Sequence, residues 1–117
     1  MKKHTKLYME HFSYGKEDFI PCELTGHRAV DIHHIVSRGS GGTDRAEDIM
    51  NLMAITRDLH LEYGDKKHYM DFLAYAHFSF MENQTPYIQI NPHHECFDIL
   101  LKLNNYKELL KWNRLRN

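Results

Sequence analysis

Apolar positions along this chain switch between helical and alternating spacing, and each switch predicts an element. Residues 4–19 place Leu7, Tyr8, His11 and Phe12 near helical spacing ahead of Gly15, which predicts a short N-terminal helix packed on the core. AVDIHHIV (29–36) is β-branched and alternating, so it reads as a strand, and SRGSGGTD after it is a loop by composition. NLMAIT is a second short apolar strand, and RDLHLEY opens a helix. Residues 66–82 (KKHYMDFLAYAHFSFME) set Tyr69, Met70, Leu73, Ala76, His77 and Phe80 on one face, a helix with a wide apolar stripe. QTPYIQINPHH, bracketed by Pro86 and Pro92, reads as extended or turn-like. A last helix is expected from about Glu95, with Leu100 on its burial face. The class expected is α+β, with no internal repeat or low-complexity tract.

Composition narrows the setting. With 117 residues, 42% of them apolar, the chain is one domain's worth, 1–117, with a modest core. No stretch reaches the roughly 18 to 20 apolar residues that span a bilayer. MKKHTKLYMEHFSYGK is interrupted by His, Glu and Tyr before an apolar run develops, so it does not read as a secretory signal, and a cytoplasmic location is expected. Cys22 and Cys96 lie far apart and outside any CxxC pair, which favours reduced thiols. A net charge of −1 argues against a nonspecific nucleic-acid coat, because phosphate affinity grows with the number of Lys and Arg contacts. Most basic clusters are then solvated surface; Arg38 and Arg45, which flank the Gly-containing loop, are the exceptions.

The chemistry lies in four polar residues. His33 and His34 are adjacent on a predicted strand, where neighbours point to opposite faces. Only a bend, or an open sheet edge over a helix, lets both serve one site. Asn51 stands in NLMAIT, and His60 follows it by nine residues, early in the next helix. The whole pattern is apolar-Asp-apolar-His-His-Ile, an Arg and Gly-Gly loop, then Asn-Leu-x-x-Ile and His. Over about residues 19–65 it resembles the HNH endonuclease family, in the compact form of phage and bacterial versions.

That resemblance implies a ββα-metal core: a short hairpin whose first strand carries the His pair, and a crossing helix bearing the last ligand, wrapped by N- and C-terminal helices. The C-terminal helical part would be about 66–117. The implied activity is metal-dependent hydrolysis of DNA phosphodiester bonds, on double-stranded DNA. His33 and His60 match the two metal ligands. His34 matches the general base, whose ordinary pKa near neutrality suits proton abstraction, and Asn51 the residue that braces the loop and orients the base. One divalent ion is implied, and two nitrogen ligands with open positions accept Mg²⁺, Mn²⁺, Zn²⁺ or Ni²⁺ alike. Arg38 and Arg45 are the implied nucleic-acid contacts.

The departures matter as much. Where many relatives carry two CxxC pairs around a structural zinc, this chain has Cys22, Thr25, Thr56 and Leu59, and one cysteine cannot hold zinc. Flanking helices are the expected substitute. Where three-histidine relatives place another ligand, one helical turn past His60, this chain has Gly64; Asp65 and His68 are the nearby alternatives. His77, on an apolar face, reads as a satisfied core histidine, His27 as part of the turn replacing the zinc knuckle, and His93 and His94 as a surface helix start. His4 and His11 carry no assignment. Trp112 reads as a packing anchor. Two other readings stay open: a noncatalytic nucleic-acid-binding protein, or a phage assembly protein that keeps the fold.

Overall fold

A computed structural model describes residues 1–36 and 47–90. In chain order it contains helix α1 (Lys3–His11), strand β1 (Asp31–His34), a 3₁₀ turn (Ile49–Asn51), strand β2 (Leu52–Ile55), and helices α2 (Arg57–Tyr63), α3 (Lys67–Asn83) and α4 (Tyr87–Ile90). The strands pair antiparallel, Asp31 with Ile55 through His34 with Leu52, so the molecule is an α+β protein with a two-stranded sheet. No helix among the described residues is long and apolar enough to cross a membrane.

A two-stranded sheet is marginal alone, and here both of its faces are covered. All four side chains of β2 are buried. Met53 and Ile55 point into a core with Phe72, Leu73 and Ala76 of α3, while Leu52 and Ala54 point the other way, against Tyr8 of α1. This explains why NLMAIT is a continuous apolar run and not an alternating one: each face of the strand has its own core. Because cross-strand partners share a face, Asp31 and His33 lie on the side of Ile55 and Met53, and Ile32 and His34 on the side of α1.

The second edge of β2 is covered by the turn between Ile20 and Ala29. Glu23 N–H donates to the Ala54 carbonyl, and the turn closes through Cys22 N–H to His27 and Ala29 N–H to Ile20. Gly26 takes a left-handed φ of 83° at its tip. Thr25 accepts from His27 N–H, and Thr56 caps α2 by accepting from Leu59 N–H. Two of the three positions without cysteine are therefore occupied by hydroxyls that close local backbone. Cys22 is buried and makes no disulfide among the described residues, and Cys96 lies outside them.

Two expectations need correction. Residues 87–90, read as extended or turn-like, form the short helix α4. Pro86 directly precedes it, where a fixed φ suits a helix start, and two of its otherwise unpaired N–H groups are satisfied from outside, Tyr87 by the Glu23 carbonyl and Ile88 by the Leu24 carbonyl. The stripe read for α3 is also too narrow. Phe72, Ala74 and Phe78 are buried as well as Leu73, Ala76, His77 and Phe80, because Tyr87 packs edge-on against Phe72 on one side while Phe80 meets Phe12 of α1 on the other. The expected Gly-containing loop with Arg38 and Arg45, and the expected last helix with Leu100 and Trp112, fall outside the described residues.

Glu23 is wholly buried and is the hub of this arrangement. One carboxylate oxygen accepts from the Tyr8 hydroxyl at 2.5 Å and from Ala54 N–H at 3.1 Å. The other meets His77 Nδ1 at 2.6 Å. His77 Nε2 donates to the Ile49 carbonyl at 2.7 Å, so both ring nitrogens are occupied and the histidine is a satisfied core residue as the sequence suggests. Burial pulls the His77 pKa down, but the charge and hydrogen bond of Glu23, with the Ile49 carbonyl, outweigh it and raise the pKa above the ordinary value. Removing one partner of a buried pair leaves the other uncompensated, so His77→Phe is expected to cost about 3–5 kcal/mol in denaturant unfolding. A histidine whose pKa is raised on folding stabilises fully below its unfolded value of 6.5 and loses that contribution as pH rises through the folded value. The parent should therefore lose stability across that alkaline window. In His77→Phe this component of the slope should vanish, and an unchanged slope would show that His77 is neutral in the fold.

Candidate metal centre

An open cleft of about 510 Å³ runs along the free edge of β1. Consecutive residues from Val30 to His34 all line it, which is possible only if the cleft follows the strand's outer edge and takes side chains from both faces. The geometric problem posed by adjacent histidines is solved in this way. His33 turns to α2, where its ring centroid is 4.7 Å from that of His60. His34 turns to α1, where its ring lies 4.5 Å from His4.

His33, His60 and Asp65 form one group whose ligand atoms all lie within 4.8 Å of one another. His33 is 3% exposed, and its Nε2 is buried with no hydrogen-bond partner among the described residues. Burial, reinforced by the neighbouring His60, pushes the His33 pKa down to about 4, which keeps the imidazole neutral and its lone pair available. Two imidazoles and a carboxylate match the donors that borderline divalent ions take. A buried acceptor with nothing to accept from is what such an ion would satisfy, so these residues fit a divalent metal. His68, the other alternative, is exposed and packs on Tyr69.

His60 is itself oriented from behind. Asp31 Oδ2 lies 3.0 Å from His60 Nδ1 and is held by a two-pronged bond from Arg57, at 2.7 and 2.9 Å. The Arg57 bonds, with those of His60, hold the Asp31 carboxyl below its ordinary pKa. An ionised Asp31 accepts the Nδ1 proton, leaving Nε2 as the donor atom of His60. Sequence reasoning assigned Asp31 no role. Its position two residues before His33, on the same face of the strand, was the available signal.

Gly64 has a steric reason. A Cβ there would run into the His60 ring and its carbonyl, and would stand 3.3 Å from His33 Cε1. The missing side chain is what lets the two imidazoles close on each other. Asp65 then adopts a left-handed φ of 64°, turning the chain so that its carboxylate joins the group.

Asn51 is 1% exposed and works as a clasp. Its Oδ1 accepts from Val36 N–H at 2.7 Å and its Nδ2 donates to the Val36 carbonyl at 3.1 Å, while its own carbonyl accepts from Ile35 N–H. Side chain and backbone together extend the pairing of β1 past His34 to Val36. His34 Nε2 lies 2.8 Å from Glu47 Oε1, with both side chains about 15% exposed (14% and 15%). A carboxylate only accepts, so His34 donates from Nε2 and keeps its lone pair on Nδ1. Neither Glu47 nor His4 was singled out as a site residue from sequence, since no motif spacing points to either. Arg38 and Arg45 lie outside the described residues.

Comparison with protein-family models, with curated proteins and with solved structures gave no match. The class of site is therefore defined by its own geometry: two imidazoles and a carboxylate around a common point, with a third histidine beside them on the same strand.

Two measurements check this geometry. Asp31→Asn removes the carboxylate that orients His60, and calorimetry should show divalent-ion affinity reduced about 10- to 100-fold; an unchanged affinity would mean that His60 needs no such support. Gly64→Ala should keep native helicity by circular dichroism yet bind the ion much more weakly, because the new methyl drives the His60 ring away. Equal binding by Gly64→Ala and the parent would remove His60 from the ligand set.

Proposed function

We propose that this chain is a metal-dependent endonuclease of the HNH type, hydrolysing DNA phosphodiester bonds. The observation that carries the reading is the three-donor group His33, His60 and Asp65 with His34 beside it, its Nδ1 lone pair directed by Glu47. The order of parts supports it too: hairpin strands β1 and β2 followed by α2 follow the ββα order, with Asn51 holding the strand end next to the histidine pair.

In this reading the chain's residues divide the work. His33, His60 and Asp65 would hold a divalent ion, which would supply positive charge against the phosphate and the leaving 3′ oxygen. His34 accepts a proton at Nδ1 from the attacking water, whose oxygen forms the new bond to phosphorus as the bond from phosphorus to the 3′ oxygen breaks. Glu47, accepting at Nε2, stabilises the imidazolium that results. Asn51 keeps the end of β1 from shifting during the step.

Plasmid nicking in Mg²⁺, Mn²⁺ or Ni²⁺ is the test. His34→Ala should lower the rate by about 10²–10⁴-fold, the range ascribed to general acid–base catalysis, while leaving calorimetric metal binding intact. Asn51→Ala should lower it less. Equal cleavage by His34→Ala and the parent would overturn the mechanism. DNA binding without cleavage by the parent would favour the noncatalytic alternative.

A further inference from the structure

The second histidine of the pair has its own three-donor group. His4, His34 and Glu47 bring one ligand atom each to within 4.8 Å of one another. They come from α1, β1 and the segment entering the 3₁₀ turn, so the group is assembled by tertiary packing and not by a local motif. His4 is buried although it lies in the first turn of α1. Glu47 uses one carboxylate oxygen on His34 at 2.8 Å, and its other oxygen is buried with no hydrogen-bond partner among the described residues. A carboxylate with an idle, desolvated oxygen beside two imidazoles is poorly satisfied by protein alone.

We propose that His4, His34 and Glu47 form a second cation site, taking a borderline divalent ion of the Zn²⁺ class, and that filling it switches off His34. Two imidazoles and one carboxylate are a zinc donor set, with water for the fourth position. Ligands bound at about 2.0–2.1 Å stand about 3.3 Å apart in a tetrahedron. A group spanning up to 4.8 Å closes on the ion by about 1.5 Å, within the reach of side-chain rotation in Glu47 and His4.

The consequence for His34 follows from imidazole chemistry. A neutral ring has one lone pair and one N–H. With Nε2–H donated to Glu47, the lone pair is at Nδ1. When Nε2 binds the ion instead, the ring proton moves to Nδ1, and that nitrogen can no longer take a proton from water. The first ion, on His33, His60 and Asp65, is undisturbed, so the chain would hold two ions and lack a base. Binding of the second ion is independent of the functional reading above; the inhibitory consequence rests on it.

Cobalt(II), whose visible absorption reports its coordination, tests the binding. The parent should take up two equivalents per chain, and His4→Gln and Glu47→Gln, each checked for native melting, should take up one. The double variant His33→Ala/His60→Ala should keep only the ion at His4. Stoichiometry that neither His4→Gln nor Glu47→Gln alters would overturn the site. Zinc added to the Mn²⁺-supported nicking reaction should inhibit the parent, with His4→Gln relieved relative to its own zinc-free rate. Inhibition that persists equally in His4→Gln would overturn the inhibitory role. A parent that binds the second cobalt ion but cleaves nothing would sink the nuclease reading and leave the site standing.

Discussion

The buried Glu23 carboxylate ties this small protein together. It accepts from Tyr8 on α1, from Ala54 N–H on β2 and from His77 on α3, while its own backbone pairs with Ala54 and receives the N–H of Tyr87 on α4. A carboxylate taken out of water is costly unless its oxygens are filled, and here both are. Domains of this size often need a staple beyond their core. The charged hub sits in the turn and joins it to the second strand and to the helices behind it.

The hub also reaches the candidate centre. His77 Nε2 binds the Ile49 carbonyl; two residues on, Asn51 clasps Val36; and Val36 lies two residues past His34. Each link is a hydrogen bond to a buried or part-buried group, so the position of His34 depends on packing between α3 and the 3₁₀ turn as well as on its own strand. The narrow sheet makes this dependence necessary. A wider sheet would bury β1 between neighbours and send His33 and His34 to separate surfaces, whereas an edge strand lets two helices approach from opposite sides and deliver His60 and His4 to one cleft.

Much of this was legible in the sequence, for definite reasons. The strand and helix periods around the histidine pair are strong, and from them α1, β1, β2, α2 and α3 were readable in chain order. His33, His60 and Asn51 were singled out by spacing, and all three are drawn into the cleft or the clasp beside it. Asp31, Glu47 and His4 were missed as site residues because they act through tertiary contacts with no fixed spacing: Asp31 meets His60 across 29 positions, and Glu47 meets His34 across 13. Glu23 was invisible for the same reason, since a lone Glu in a turn reads as surface until its partners are known. Helix α4 was misread because Pro86 and Pro92 suggest broken structure, while the carbonyls that satisfy its first N–H groups belong to a turn more than sixty residues earlier.

Gly64 and Asp65 show how one departure from a motif constrains the next. With a side chain at position 64, the His60 ring could not pack against His33 as it does. With glycine there, the helix ends early, and the following residue must turn the chain; Asp65 does so with a left-handed φ. Aspartate is among the residues that tolerate this conformation best, and the same turn directs its carboxylate toward His33 and His60. The residue after the glycine thus contributes the oxygen atom of the candidate group. A candidate set of two nitrogens and one oxygen carries a negative charge that an all-imidazole set would lack.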